Sequence, residues 1–335
     1  KEPSTRRAIR NNYDPYLVVF NRLEHYVAMG KVPDKAEVII QGGTFTFFPK
    51  AYQEYFVKYA LKAMNDFSKL FFDENGNLDI LKFKKFFELP RIMDEEDKRI
   101  KRIQQKLIYI KNLDLNDLEV RKKIEDLFFE DYFFDLNNVK INNGKSFNAS
   151  GESEDNNQNE IIISTQNNKL SVIENKIEDP NILAIKNIQN KLKNEDNKNL
   201  TLQQVQKENE TSFIRCVGLT IETKSDFGKL YHGNLMLELG CTRVEIGIQS
   251  IYNDVLEATN RGNTVNDNID SIRILKDLGF KINAHYMPGL PLTTKEMDLN
   301  GLRQLLENSD YKPDMLKIYP CMVMEGTKLY EDWKA

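Results

Sequence analysis

The chain has 335 residues, 40% of them hydrophobic and 29% charged, and 47 basic against 51 acidic side chains leave a formal net charge of -4. That balance excludes a collagen-like, mucin-like or wholly disordered polymer, and no apolar run approaches the roughly 18 to 20 residues of a membrane span. Three cysteines are too few for a disulfide scaffold and point to a reducing, cytoplasmic setting. In chain order, Asp14 and Pro15 read as an N-cap and first-turn proline, opening a helix whose Tyr16, Val19, Phe20, Leu23 and Val27 share one face and which Gly30 closes. A strand over 36–41 follows, then a tight turn at Gly42 and Gly43 and a helix over 49–67 with Tyr52, Phe56, Tyr59, Ala63 and Phe67 inward.

From 66 to 212 the character changes, with no His, Cys or Trp and with Lys, Asn and acidic residues crowded together. Two helical patterns stand out there: Ile100, Ile103, Leu107 and Ile110, then Leu118, Ile124, Leu127 and Phe128. The polar tract 142–160 predicts disorder, because it cannot bury enough apolar area to offset the entropy of ordering. The segment reads as an insertion swollen by compositional bias. Strand patterns return at 217–221, 244–248, 282–286 and 315–319. Between them lie a helix capped by Thr264, with Ile269, Ile272, Leu275 and Leu278 inward before Gly279, and a helix carrying Leu299, Leu302, Leu305 and Leu306. Such alternation predicts a parallel α/β sheet, either a β/α barrel or a doubly wound sheet, with ligands at the carboxyl ends of its strands. The end of the chain, 330–335, stops inside a helical pattern and position 1 is Lys, so a piece of a longer protein is expected.

The residues after each strand form the candidate site: Gly42, Gly43 and Thr44; Glu222 and Thr223; Gln249 and Ser250; Pro288 to Pro291; Lys317, Tyr319 and Pro320. This polar, mostly uncharged, glycine-bearing set suits a zwitterionic or nucleoside ligand lying against backbone amides. Hydrolytic nucleophilic catalysis is poorly supported: His25 lies on a helix, His232 in an expected loop, and only His285 stands near a strand end. Lys317 inside an apolar strand is costly unless paired, which leaves structural pairing and substrate contact equally open. Arg6, Arg7 and Arg10 form a basic cluster that fits either a solvated face or phosphate contacts. Cys216, Cys241 and Cys321 are too far apart for a local metal knuckle and read as small buried hydrophobes.

Several runs together carry a resemblance: Arg7-Ala8-Ile9-Arg10-Asn11-Asn12-Tyr13-Asp14-Pro15, Gly42-Gly43-Thr44-Phe45, Cys216-Val217-Gly218-Leu219-Thr220-Ile221-Glu222-Thr223, Val244-Glu245-Ile246-Gly247-Ile248-Gln249-Ser250, Asn260-Arg261-Gly262, Met287-Pro288-Gly289-Leu290-Pro291 and Lys317-Ile318-Tyr319-Pro320. In this order they resemble the radical S-adenosylmethionine (SAM) domain of the Elongator catalytic subunit, the tRNA wobble-uridine carboxymethylating (tRNA uridine acetyltransferase) family. The resemblance covers 1–70 and 209–335 and leaves 71–208 as a helical and then disordered insertion. It implies a partial (β/α) barrel of radical SAM type. It further implies a [4Fe-4S] cluster and SAM as cofactors, acetyl-CoA as co-substrate and the tRNA anticodon region as partner. Other Elongator-type subunits or a second copy would assemble with it, away from any membrane, in the cytoplasm and, in a eukaryote, also the nucleus. The product would be 5-carboxymethyluridine.

Residue by residue, Gly42, Gly43 and Thr44 would receive the SAM amino group. Glu222 and Gln249 would contact its ribose or carboxylate, Lys35 would bind acetyl-CoA, and Lys317 and Tyr319 would face the reacting centre. Arg6, Arg7 and Arg10 would hold tRNA phosphates, since an anticodon base must be splayed out for modification. None of the three cysteines matches a cluster ligand of the family, so no metal-binding residue is assigned here and the ligands are expected upstream of Lys1. The 335-residue chain alone is therefore expected to be inactive, its acetyltransferase domain also lying outside it. Lys224-Ser225 stands where the family has Arg-Pro, Asn263 where it has His, and Cys321 where it has Thr. A cluster-less tRNA-binding or complex-assembly subunit is the alternative reading.

Overall fold

The computed structural model of the chain describes residues 3–90, 96–129 and 180–335; the tract 142–160, expected to be disordered, lies outside them. In chain order the elements are α1 (Pro3–Arg10), α2 (Pro15–Ala28), β1 (Lys35–Ile40), α3 (Lys50–Phe71), α4 (Ile80–Phe86), α5 (Glu96–Lys111), α6 (Leu118–Phe128), α7 (Pro180–Glu195) and α8 (Leu202–Asn209). They continue with β2 (Arg215–Thr223), α9 (Leu230–Glu238), β3 (Arg243–Gln249), α10 (Asn253–Ala258), α11 (Val265–Asp277), β4 (Lys281–Tyr286), α12 (Lys295–Glu307), β5 (Met315–Ile318) and α13 (Lys328–Lys334). No helix among the described residues is long and apolar enough to cross a membrane. The chain divides into two compact units, Lys1–Asp34 with Lys58–Ile214, and Lys35–Val57 with Arg215–Ala335. The expected boundaries after 70 and after 208 both fall inside the first unit, which takes in α1 and α2 as well as the segment read as an insertion.

The first unit is helical. The Asp14 carboxylate caps α2 by accepting from the amides of Tyr16 and Leu17, and Pro15 opens the helix where an N–H would have no partner. Phe67 and Phe71 of α3 meet Phe83, Phe86 and Phe87, which the spacing of α4 puts on one side; all five are at most 1% exposed. Because α3 is buried on every side from 57 to 68, its Lys58, Lys62 and Asp66 are buried too and need partners. Lys62 pairs with Asp66 at 2.5 Å, Asp66 accepts the Tyr16 hydroxyl at 2.7 Å, and Lys58 pairs with Asp196 at 2.5 Å. Lys111 of α5 reaches Asp14 at 2.6 Å. The expected helical patterns both appear, as α5 and α6, although Leu118 stays exposed. Residues of the presumed insertion thus neutralise charges outside it.

The second unit is a five-stranded sheet, all parallel, in the order β1-β2-β3-β4-β5. It is a half-barrel, which settles the choice between barrel and doubly wound sheet: consecutive strands are neighbours throughout and the order never reverses. Ile221, Val244, Ile246, Ile248, Ile282 and Ala284 are fully buried, and α11 lays Ile272 and Leu275 into the core after a capping box between Thr264 and Asp267. In α12 only part of the expected apolar set turns inward, Leu305 being buried and Leu299 and Leu306 exposed. His232, expected in a loop, lies on α9. Strand β2 runs two residues further than expected, so Glu222 and Thr223 belong to it, while β5 ends one residue sooner, putting Tyr319 just beyond its carboxyl end.

Candidate active site

Register builds the polar end of the sheet. Glu222 of β2 stands beside Glu245 of β3, and Glu245 beside Asn283 of β4. One pleat further on, Gly247, His285 and Lys317 are paired across β3, β4 and β5. Residues two apart on a strand share a face, so these two rows point to one side of the sheet. The missing side chain at Gly247 matters, because a Cβ there would stand 2.5 Å from the Arg261 guanidinium and 3.0 Å from the Gln249 amide nitrogen. The Arg261 guanidinium donates to the Gly247 carbonyl at 3.1 Å, and the Lys224 ammonium reaches the Arg261 carbonyl at 2.8 Å and Asp226 at 3.1 Å. Lys224, one of the departures from the family pattern, is therefore paired within its own loops.

At the centre lies Glu245. Its Oε2 accepts from His285 Nε2 and from Lys317 Nζ, both at 2.9 Å, and its Oε1 from Asn283 at 3.3 Å. Burial opposes its ionisation, but Lys317 and His285 prevail and hold the carboxyl below its ordinary range. On the other side of the imidazole, His285 Nδ1 meets the Tyr319 hydroxyl at 3.0 Å, with Glu222 Oε1 3.6 Å away. Burial and the Lys317 ammonium keep the imidazole pKa below its usual value against the pull of Glu245 and Glu222. Burial raises the Tyr319 phenol, opposed by the neighbouring Gln249 side chain. Glu222 Oε2 in turn accepts the Gly42 amide at 3.3 Å. Gly42 and Gly43 have φ of +119° and +90°, a conformation that side chains disfavour, and nothing stands within 4 Å of where their Cβ atoms would be.

Of the residues expected to act together, Lys317 and Tyr319 are linked through Glu245 and His285, Glu222 accepts the Gly42 amide and stands 3.6 Å from the same imidazole, Gln249 bears on the Tyr319 phenol, and Gly43 and Thr44 continue the Gly42 turn. Lys35 is not among them. It is the first residue of β1, paired with Arg215, and so stands at the amino end of the sheet. Arg6, Arg7 and Arg10 lie on α1 in the first unit, Arg7 half-buried and the other two exposed. Both open readings of Lys317 keep their footing, since the ammonium is paired with Glu245 yet its side chain is 40% exposed. Glu245 and His285 were not among the expected site residues. A Glu inside the strand 244–248 carried the same signal as Lys317, a charge on an apolar strand.

Glu222, Glu245 and His285 offer ligand atoms within 4.8 Å of one another, but the Lys317 ammonium already fills the place of a cation beside Glu245. The cysteines fit a cluster poorly, because cluster ligands are thiolates. Burial pushes the Cys241 thiol up to about 12 and raises those of Cys216 and Cys321. They also come from three separate places, the start of β2, the residues before β3 and the loop after β5.

The Radical SAM superfamily model matches residues 213–299. The chain carries a radical SAM domain. Elongator complex protein 3 of Bos taurus is 43% identical over 334 residues, covering all of this chain and 37% of that protein. The tRNA uridine(34) acetyltransferase of Methanocaldococcus jannaschii is 52% identical over 134 residues, 40% of this chain and 25% of that protein. The chain thus spans roughly a quarter to two fifths of the length of these curated relatives. Among solved structures, the archaeal Methanocaldococcus infernus Elp3 with an N-terminal deletion superposes with a TM-score of 0.56 at 29% identity, over 96% of this chain and 45% of that one. A radical SAM domain implies SAM and a [4Fe-4S] cluster. The residues fit SAM: an open Gly42-Gly43 turn, a half-buried Glu222, and a Gln249 whose buried Oε1 has no hydrogen-bond partner among the described residues.

Proposed function

We propose that the full-length protein is a radical SAM enzyme of tRNA modification, an Elongator-type catalytic subunit that forms 5-carboxymethyluridine at the wobble position from acetyl-CoA and SAM. The observation that carries this reading is the polar set Gly42, Glu222, His285, Tyr319, Gln249, Glu245 and Lys317 gathered at the carboxyl ends of a half-barrel. When bound and reduced by one electron from a [4Fe-4S] cluster, SAM supplies a 5′-deoxyadenosyl radical, the chemistry that lies beyond any protein side chain. Gly42, Gly43 and Thr44 receive the SAM amino group at the strand-end turn. Glu222 accepts from it or from the ribose, and Gln249 offers its unpaired carbonyl to a ribose hydroxyl. Lys317 and Tyr319 hold the acceptor base, and the Lys317 ammonium faces any developing negative charge, their positions fixed by hydrogen bonds before the substrate arrives. Arg6, Arg7 and Arg10 bind backbone phosphates of the anticodon arm, and Lys35 serves acetyl-CoA from the amino end of β1.

Anaerobic reconstitution of the full-length protein tests the reading. An oxygen-sensitive iron-sulfur chromophore, with tRNA-stimulated cleavage of SAM to 5′-deoxyadenosine, is the expected result. Binding of tRNA with no iron and no SAM cleavage would replace it with the assembly-subunit alternative.

A further inference from the structure

The strand-end hydrogen bonds have a direction. Glu245 is an acceptor on both oxygens, and its Oε2 lies 2.9 Å from His285 Nε2. If that nitrogen carried a lone pair, two acceptors would face each other in a buried place, Glu245 and His285 side chains being 4% and 1% exposed. The neutral imidazole therefore carries its proton on Nε2, and Nδ1 is left to accept the Tyr319 hydroxyl at 3.0 Å. The Tyr319 proton is thereby committed to the imidazole. Each link fixes the next.

We propose that Glu245 and His285 are positioning residues: the buried Glu245 carboxylate sets Lys317 directly and, through the His285 tautomer, commits the Tyr319 proton to Nδ1 so that the phenol oxygen meets a ligand as an acceptor. The site then selects a ligand with a hydrogen-bond donor at that oxygen and disfavours one with an acceptor there. Four groups bear on the imidazole: Glu245 from β3, Glu222 from β2, Lys317 from β5 and the Tyr319 phenol, while Arg261 acts on Tyr319 from the loop before α11. Exposure runs along the same path. The anchor is closed while the tips, Lys317 at 40% and Glu222 at 25% of their side-chain surface, open outward, unlike an ion pair that only holds the fold. The inference rests on the reading of Lys317 and Tyr319 as site residues, and its first measurement does not.

That measurement is nitrogen NMR of the histidine side chains, three in this chain. At neutral pH His285 is expected as the uncharged Nε2–H form. In Tyr319→Phe the tautomer persists and the Nδ1 signal shifts as its donor is lost. In Glu245→Gln, where an amide can donate to Nε2, the Nδ1–H form appears. A charged His285, or an Nδ1–H form in the unaltered protein, overturns the proposal. The second measurement uses the reconstituted full-length enzyme. His285→Gln keeps a donor for Glu245 but places no acceptor at the Nδ1 position that Tyr319 uses, so 5′-deoxyadenosine formation should fall about a hundredfold, as for a displaced catalytic group, with unchanged thermal unfolding. Unaltered turnover in both His285→Gln and Glu245→Gln, with Lys317→Met and Tyr319→Phe inactive, sinks the positioning role alone. Full activity of Lys317→Met and Tyr319→Phe sinks instead the assignment of those residues to the reacting centre.

Discussion

Both compact units bury charge, and they do so to opposite ends. In the helical unit Lys111 and Asp14 are 4% and 7% exposed, Lys62 and Asp66 6% and 2%, and aromatic rings close over them. In the sheet unit the chain of bonds begins at a buried Glu245 and ends on a Lys317 that is 40% exposed. The contrast teaches that burial of an ion pair is a poor sign of function, whereas a buried anchor leading to an exposed charged tip is a better one.

Breaking the contrast should cost most in the helical unit. Lys111→Ala leaves Asp14 buried without its nearest cation and is expected to lose about 3–5 kcal/mol, read as a drop in the urea midpoint. A Lys111→Met, Asp14→Leu double variant should lose clearly less than the two singles summed, as fits a pair that serves packing. Phe71→Ala empties the centre of the ring cluster and should cost a comparable ~3–5 kcal/mol, with the near-ultraviolet circular dichroism of the unit lost first. In the sheet unit, Thr264→Ala removes the capping box of α11 and about 1 kcal/mol, seen in the same midpoint without change in the site. The smallest effect is one of pH. His285 and Glu245 both have folded pKa values below their ordinary 6.5 and 4.5, so each contributes stability that is complete above that value and fades as pH falls below it. The urea midpoint should start to decline below about pH 6.5, and His285→Gln should flatten the upper part of that decline; a midpoint rising on acidification would contradict the pair's geometry.

The sequence made some of this legible and hid the rest for physical reasons. Strands read well because buried parallel strands are nearly all apolar, and the α2 and α11 caps because Asp14-Pro15 and Thr264 are local signals. Helix α9 was missed: Leu230, Leu235, Met236 and Leu237 surround it without a clean stripe, and Leu230 and Leu237 stay exposed. The two-unit division was also hidden, because nothing local says that Lys58 will meet Asp196 across 138 residues of chain. At the site, the strand-end glycines and Lys317 stood out by type. Glu245, a charge on an apolar strand, and His285, near a strand end, carried local signals too, but their pairing comes from register between strands, which a single strand cannot display.

One detail of β3 bears on how such a domain tolerates change. Gln249 ends the strand at φ +66°, where the β3–β4 register shifts and its carbonyl takes the Met287 amide at 3.0 Å. A side chain held in that region costs of the order of 1–3 kcal/mol, and glycine would relieve it. Gln249→Gly should therefore raise thermal resistance while weakening SAM retention, a trade between durability and performance concentrated in one residue. A lineage under selection for heat alone would drift toward glycine there, and its keeping glutamine would measure how much the acceptor is worth.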